Sequence, residues 1–190
     1  MESESAIVLC RKEHRYTLLT RNQGVMMLGV PQVNLLLGSL IRCTFSKRSG
    51  RIIIQSVDLL EVPFTLARDD LLFLHHVLEL CHAFIPQGER APEVFDAVCA
   101  LYAQRICRLS NLCKKLFLCR LLIDIGLYDS LPKIDASVLE IVLALPVDIA
   151  RWSTIDLDYQ QELDAWLLAC VAGHPKVEHF NTVHFLTGRR

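Results

Sequence analysis

The 190-residue chain is 52% hydrophobic and 22% charged, with 20 basic and 21 acidic residues and a formal net charge of −1. This is the composition of a folded protein and excludes a disordered one, and the net charge alone does not point to nucleic acid. No apolar run approaches the roughly 18 residues of a membrane span, because Arg68, Asp69, Asp70, Arg120 and Asp124 break up the longest stretches.

The opening Met-Glu-Ser-Glu-Ser has neither the basic region nor the apolar core of a signal peptide, so a cytoplasmic protein with no membrane partner is expected. The 8 cysteines therefore read as thiols. No two of them form a CxxC pair, which structural zinc sites usually need, so no metal and no cofactor is expected. Cys10, Cys43, Cys81, Cys99 and Cys170 read as small buried apolar residues. Charge is unevenly placed: residues 1–62 hold eight basic and five acidic groups, a balance of +3, and residues 63–190 hold twelve and sixteen, a balance of −4.

In chain order, short apolar runs come first. Ala6–Cys10, Tyr16–Thr20, Val25–Val30 and Leu40–Phe45 are separated by the charged turn at 11–15, by Asn22-Gln23-Gly24 and by Gly38. Lys47-Arg48-Ser49-Gly50 reads as a polar hairpin loop before Arg51–Ser56 and Val57–Val62. Five or six strands at this spacing predict a small closed barrel, for which a five-stranded OB-fold has the right length. The pattern turns helical at Pro63. Thr65 is a candidate N-cap for a helix bearing Leu71, Leu72, Leu74, Leu78 and Cys81. Pro92 opens a second helix with Phe95, Val98, Leu101, Tyr102 and Ile106 inward. Ser110 or Asn111 caps a third, running to Ile125 with Gly126 at its C′ position. Asp135 and Asp156 are candidate caps for later helices over 136–145 and about 158–172, and 176–190 is either a last helix or a docked tail. The predicted fold class is α+β: an OB-fold-like barrel over 1–63, then an all-α helical domain over 64–190.

The segment "AIVLCRKEHRYTLLTRNQGVMMLGV" resembles the first barrel strands of the RecO family, through Ile7-Val8-Leu9 and Leu19-Thr20-Arg21 up to Gly24. "LLFLHHVLELCHAFIPQGERAPEVFDAVCALY" resembles the helix pair that follows the barrel. "KKLFLCRLLIDIGLYDSLP" is similar to the family's Arg-Leu-Leu helix and Gly–Pro turn, through Phe117, Arg120, Leu121, Leu122, Gly126 and Pro132. The resemblance covers residues 5–132, and its content lies in the order of these pieces. Many members carry a four-cysteine zinc module after the turn; here "LPKIDASVLEIVLALP" holds no cysteine. The stretch after the third strand, "VPQVNLLLGS", lacks the basic residues often found there.

The resemblance implies a non-enzymatic DNA repair and recombination mediator associated with the bacterial nucleoid. Such a protein binds single- and double-stranded DNA, anneals complementary strands, docks the C-terminal tail of the single-stranded-DNA-binding protein and, with RecR, helps load RecA. On this reading Arg11, Lys12, Arg15, Arg21, Lys47 and Arg48 contact phosphates, and Tyr16 or Phe45 is available for base stacking. Arg105, Arg108, Lys114, Lys115 and Arg120 form a second basic cluster in an acidic half, expected to receive the acidic tail, with Leu116, Leu118 and Leu122 lining an apolar pocket. Two other readings stand beside it. One is a protein–protein interaction module on the same fold with weak or no DNA binding. The other is an enzyme using a thiol, weakened because Cys81 and His82 diverge as helix neighbours and no phosphate loop, GxSxG or HExxH is present. His75 and His76 point about 100° apart on a helix and cannot readily share a metal.

Overall fold

The short apolar runs of the first sixty residues become five antiparallel strands: β1 (Glu2–Lys12), β2 (Arg15–Thr20), β3 (Gly24–Gly29), β4 (Leu40–Arg48) and β5 (Arg51–Glu61). The computed structural model describes residues 2–13, 15–29, 34–48, 51–104, 109–127, 160–175 and 177–187. The strands are longer than their apolar centres, because charged ends such as Lys12 and Arg48 still pair, with Arg15 and Arg51. The two apolar runs expected after residue 50 are one strand, β5.

The sheet order is β3-β2-β1-β4-β5. Its edge strands β3 and β5 come within 8 Å, Cα to Cα, yet no ladder joins them among the described residues, and the sheet is not closed. One side chain in two points inward. Ala6, Val8, Tyr16, Leu18, Met26, Leu28, Ile41, Cys43, Phe45 and Ile54 form the core that these strands enclose. Ile7 and Leu19 lie on the opposite side and are also fully buried, and helix α1 (Phe64–Phe84) packs against β1 and β2.

The first helix does not use Thr65 as its cap. Pro63 stands at that position with no side-chain cap bond, and the helix is interrupted at Asp70 (φ −158°, ψ 75°). The Asp70 carboxylate accepts the amide of Phe73 at 3.0 Å, so the main helix restarts there with an aspartate cap. Helix α2 (Pro92–Ala103) begins at its proline as expected, with Phe95, Val98, Leu101 and Tyr102 buried.

The β2–β3 turn docks onto residues 86–90. The Gly88 amide donates to the Val25 carbonyl at 2.8 Å, Val25 and Gln87 form a parallel bridge, and Arg21 pairs with Asp96 at 2.9 Å. A Cβ on Gly24 (φ +71°) would lie 1.6 Å from the Glu89 carbonyl oxygen, so the turn's approach requires glycine.

The chain divides into two compact units, 1–102 and 103–190. Secondary structure changes at Pro63, but α1 and α2 belong to the first unit with the sheet. The second unit holds α3 (Asn111–Asp124), α4 (Gln160–Ala172), a 3-10 turn (Val177–His179) and α5 (Asn181–Thr187). Ser110 caps α3 by accepting the Cys113 amide at 3.2 Å, and Gly126 follows its end at φ +93°. Helices α3 and α4 pack together, as do α4 and α5; Leu116, Phe117, Leu121, Leu122, Trp166 and Leu167 are all buried. The expected caps Asp135 and Asp156, the expected helix over 136–145 and Ile106 lie outside the described residues.

Candidate nucleic-acid interface

Strands β1 and β2 end in a two-residue connection, with Lys12 directly opposite Arg15 and Arg11 opposite Tyr16. Glu13 in the turn has φ +55°, the left-handed conformation that tight hairpin connections use. Arg11, Lys12 and Arg15 are all exposed. Among the described residues, no carboxylate forms an ion pair with any of them. Lys12 and Arg15 are like charges directly opposed in the ladder, a destabilising arrangement. A polyanion laid across the hairpin removes that repulsion.

The other expected phosphate contacts differ. Arg21 is exposed, but its guanidinium makes a forked pair with Asp96, Nε at 2.9 Å and Nη2 at 2.9 Å. That pairing, reinforced by Glu93 nearby, raises the Arg21 pKa. Arg21 thus fastens the turn to α2. Lys47 and Arg48 end β4, opposite Ile52 and Arg51. By register this hairpin stands at the opposite end of β1 from Arg11–Arg15, since Glu2 pairs with Phe45 and Lys12 with Arg15.

The stacking assignments fail on burial. Tyr16 is 2% exposed and Phe45 1% exposed. The Tyr16 hydroxyl accepts the Leu35 amide at 3.2 Å, and the Arg11 guanidinium lies 5.6 Å from the ring centroid. Tyr16 is a core residue and a platform for Arg11, not a surface for a base. Beyond Arg15, β2 exposes no side chain at all, so stacking on this strand is not available.

In the second basic cluster, Lys115 and Arg120 are held in ion pairs. Lys115 is buried, with Nζ 2.6 Å and 2.7 Å from the two carboxylate oxygens of Asp164 on α4. Arg120 pairs with Asp124 at 2.7 Å along the same helix. Leu116, Leu118 and Leu122 are at most 1% exposed, so they form core and not an open groove. Lys114 is half-buried, with Asn111 Oδ1 3.4 Å from its Nζ. Arg105 and Arg108 lie outside the described residues. The clustering of cations was visible in sequence; their partners, 49 and 75 residues away for Lys115 and Arg21, were not.

Two of the thiols singled out in the sequence, Cys81 and Cys43, are poor nucleophiles. Burial pushes the Cys81 thiol from 9.0 up to about 12, and burial, with Glu4 and Asp58 nearby, pushes Cys43 up to about 11. At neutral pH both stay protonated, the opposite of an activated cysteine.

No family model matches this chain, and no curated protein is significantly similar to it.

Proposed function

We propose that this chain is a DNA-binding recombination mediator of the RecO type, whose N-terminal unit is a partly open OB-like barrel that captures strand backbones with the β1–β2 hairpin. The observation that carries the reading is the exposed cationic hairpin. Arg11, Lys12 and Arg15 stand together without carboxylate partners among the described residues, whereas Arg21, Lys115 and Arg120 are held in ion pairs. The near approach of β3 to β5 supports reading the sheet as a barrel of the five-stranded OB type. The order of sheet, helix pair and Arg-Leu-Leu helix supports the RecO likeness.

With no stacking platform on β2, contact is to phosphates, which position a strand without reading its sequence. The role then follows from non-specific backbone capture: strands held by electrostatics are brought together, and the single-stranded-DNA-binding protein and RecR are the proposed partners in loading RecA. The test is annealing of complementary oligonucleotides coated with single-stranded-DNA-binding protein. The wild-type chain should accelerate it at low salt, and the triple substitution R11Q, K12Q and R15Q should abolish the acceleration. No acceleration by the wild type at any salt sinks the mediator reading.

A further inference from the structure

A cavity of about 470 Å³ opens where β3 and β5 approach without pairing. Met26, Met27 and Leu28 of β3 and Ile52 of β5 give it apolar walls, and Gln23 and Gln87 add polar groups. Small-ligand sites have this make-up and volumes of roughly 300–1,000 Å³. No charged residue lines the cavity. Met27 is 45% exposed. The Gln23 backbone amide donates to Thr20 Oγ1 at 3.1 Å, but no hydrogen bond among the described residues holds the side-chain amide of Gln23 or of Gln87.

Strand register ties this cavity to the cationic hairpin. Arg15 pairs with Gly29 and Thr17 with Met27. Directly paired residues share a face of the sheet, so Arg15 and Met27 are diagonal neighbours on one face, about 7–8 Å apart. Between them Gly29 carries no side chain, and an added Cβ there would meet nothing within 4 Å, which leaves room for a strand backbone to pass. We propose that the cavity is a nucleobase subsite, in which a single strand whose phosphates lie on Arg11, Lys12 and Arg15 seats one unpaired base against Met27 and Ile52. The subsite rests on the reading of the hairpin as a phosphate contact, and it adds a contact that distinguishes single strands from duplexes.

Charge and chemistry select this occupant. The ligand must offer anionic groups to the hairpin and, one nucleoside away, an uncharged group that is both apolar and hydrogen-bonding. A base is a flat ring with donors and acceptors along its edge. The flexible thioether of Met27 packs against aromatic rings of differing outline, and a glutamine amide both donates and accepts. The subsite therefore takes any of the four bases and reads no sequence. A base within a duplex is stacked and has its edge paired, so it enters only by leaving the stack. Strands are thus held more tightly before annealing than after it, which favours release of the annealed product.

Anisotropy titrations of the full chain at one low salt concentration test this, comparing a labelled oligothymidine with an abasic strand of the same phosphate number. The wild-type chain should bind the base-bearing strand about fivefold or more tightly than the abasic one, the least that one stacked base contributes. Met27→Ala with Gln87→Ala should remove that difference and leave affinity for the abasic strand unchanged. Both residues are exposed, so neither substitution empties a core, and the far-UV circular dichroism spectrum should not change. Equal wild-type affinities for the two strands overturn the subsite while leaving phosphate capture by the hairpin intact. A difference that survives the double substitution overturns it in the same way. Failure of both strands to bind overturns the hairpin reading and the subsite with it.

Discussion

Three glycines of the first unit allow the docking of the β2–β3 turn to be tested in graded steps. Gly29 has ordinary backbone angles and nothing within 4 Å of an added Cβ; Gly88 has φ +82° and equally open space; Gly24 has φ +71° and a carbonyl oxygen 1.6 Å from the added Cβ. Alanine at 29 should leave stability within about 0.5 kcal/mol, as ordinary surface changes do. Alanine at 88 meets only the left-handed backbone, which costs about 1–2 kcal/mol. Alanine at 24 meets the same backbone cost and must also displace Glu89 by more than an ångström. That movement breaks the bond from Gly88 to Val25, worth about 1 kcal/mol, and strains the solvent-exposed Arg21–Asp96 pair. The expected loss at Gly24 is therefore about 2–3 kcal/mol, against a total domain stability of about 5–15 kcal/mol. Urea unfolding followed by far-UV circular dichroism should give the order Gly29, Gly88, Gly24 with increasing damage. If Gly24→Ala costs no more than Gly88→Ala, residues 86–90 do not pack on the turn and the reasoning fails.

Other consequences follow from single contacts. Asp70→Ala should remove about 1 kcal/mol by uncapping the main part of α1, while Thr65→Ala should be silent; equal urea midpoints for the two would refute the helix restart at Asp70. Lys115→Met leaves Asp164 without its cation in a site where the side chains are 9% and 30% exposed, and should cost about 2–4 kcal/mol. The double substitution Lys115→Met with Asp164→Leu should recover most of that, and a double mutant as unstable as the single one would show that the pair is not the cause. The buried thiols predict alkaline sensitivity. Cys43 and Cys81 are raised from 9.0 to about 11 and about 12, so in the unfolded chain they ionise first. Stability should be whole below pH 9 and decline as pH rises toward 11–12, and replacing Cys43 with Ala should flatten that decline in urea midpoints taken between pH 8 and 11.

The strands were legible because their signal is local. Tyr16, Leu18 and Thr20 share one face by alternation, which already places Tyr16 with the core residue Leu18 and not with the bases. Arg11 stands directly opposite Tyr16 in the β1–β2 ladder, so its exposure comes from its place near the strand end and not from alternation. Ser110, Pro92 and Gly126 were legible for the same reason, since a cap acts within three residues. The ion pairs were not. Nothing near Lys115 in sequence distinguishes it from Lys114, and only the packing of α4 on α3 brings Asp164 to one and not the other. Asp70 was hidden by the apolar run after it, which continues the helical period across a break in the backbone. The exposure of Phe64 and Leu72 was equally hidden, because an apolar side chain on a helix is ordinarily assigned to the core.

The central claim is that the β1–β2 hairpin holds strand backbones through its exposed cations. It is tested most directly by the anisotropy of a labelled single-stranded oligonucleotide titrated with the chain across a salt series. Each phosphate contact on a single strand contributes about 0.7 to the slope of log affinity against log salt, so replacing Arg11, Lys12 and Arg15 with Gln should lower the slope by about 2. Arg21→Gln should leave the slope unchanged, since Asp96 already occupies that guanidinium. A slope indifferent to the hairpin substitutions, or lowered as much by Arg21→Gln, would contradict the account.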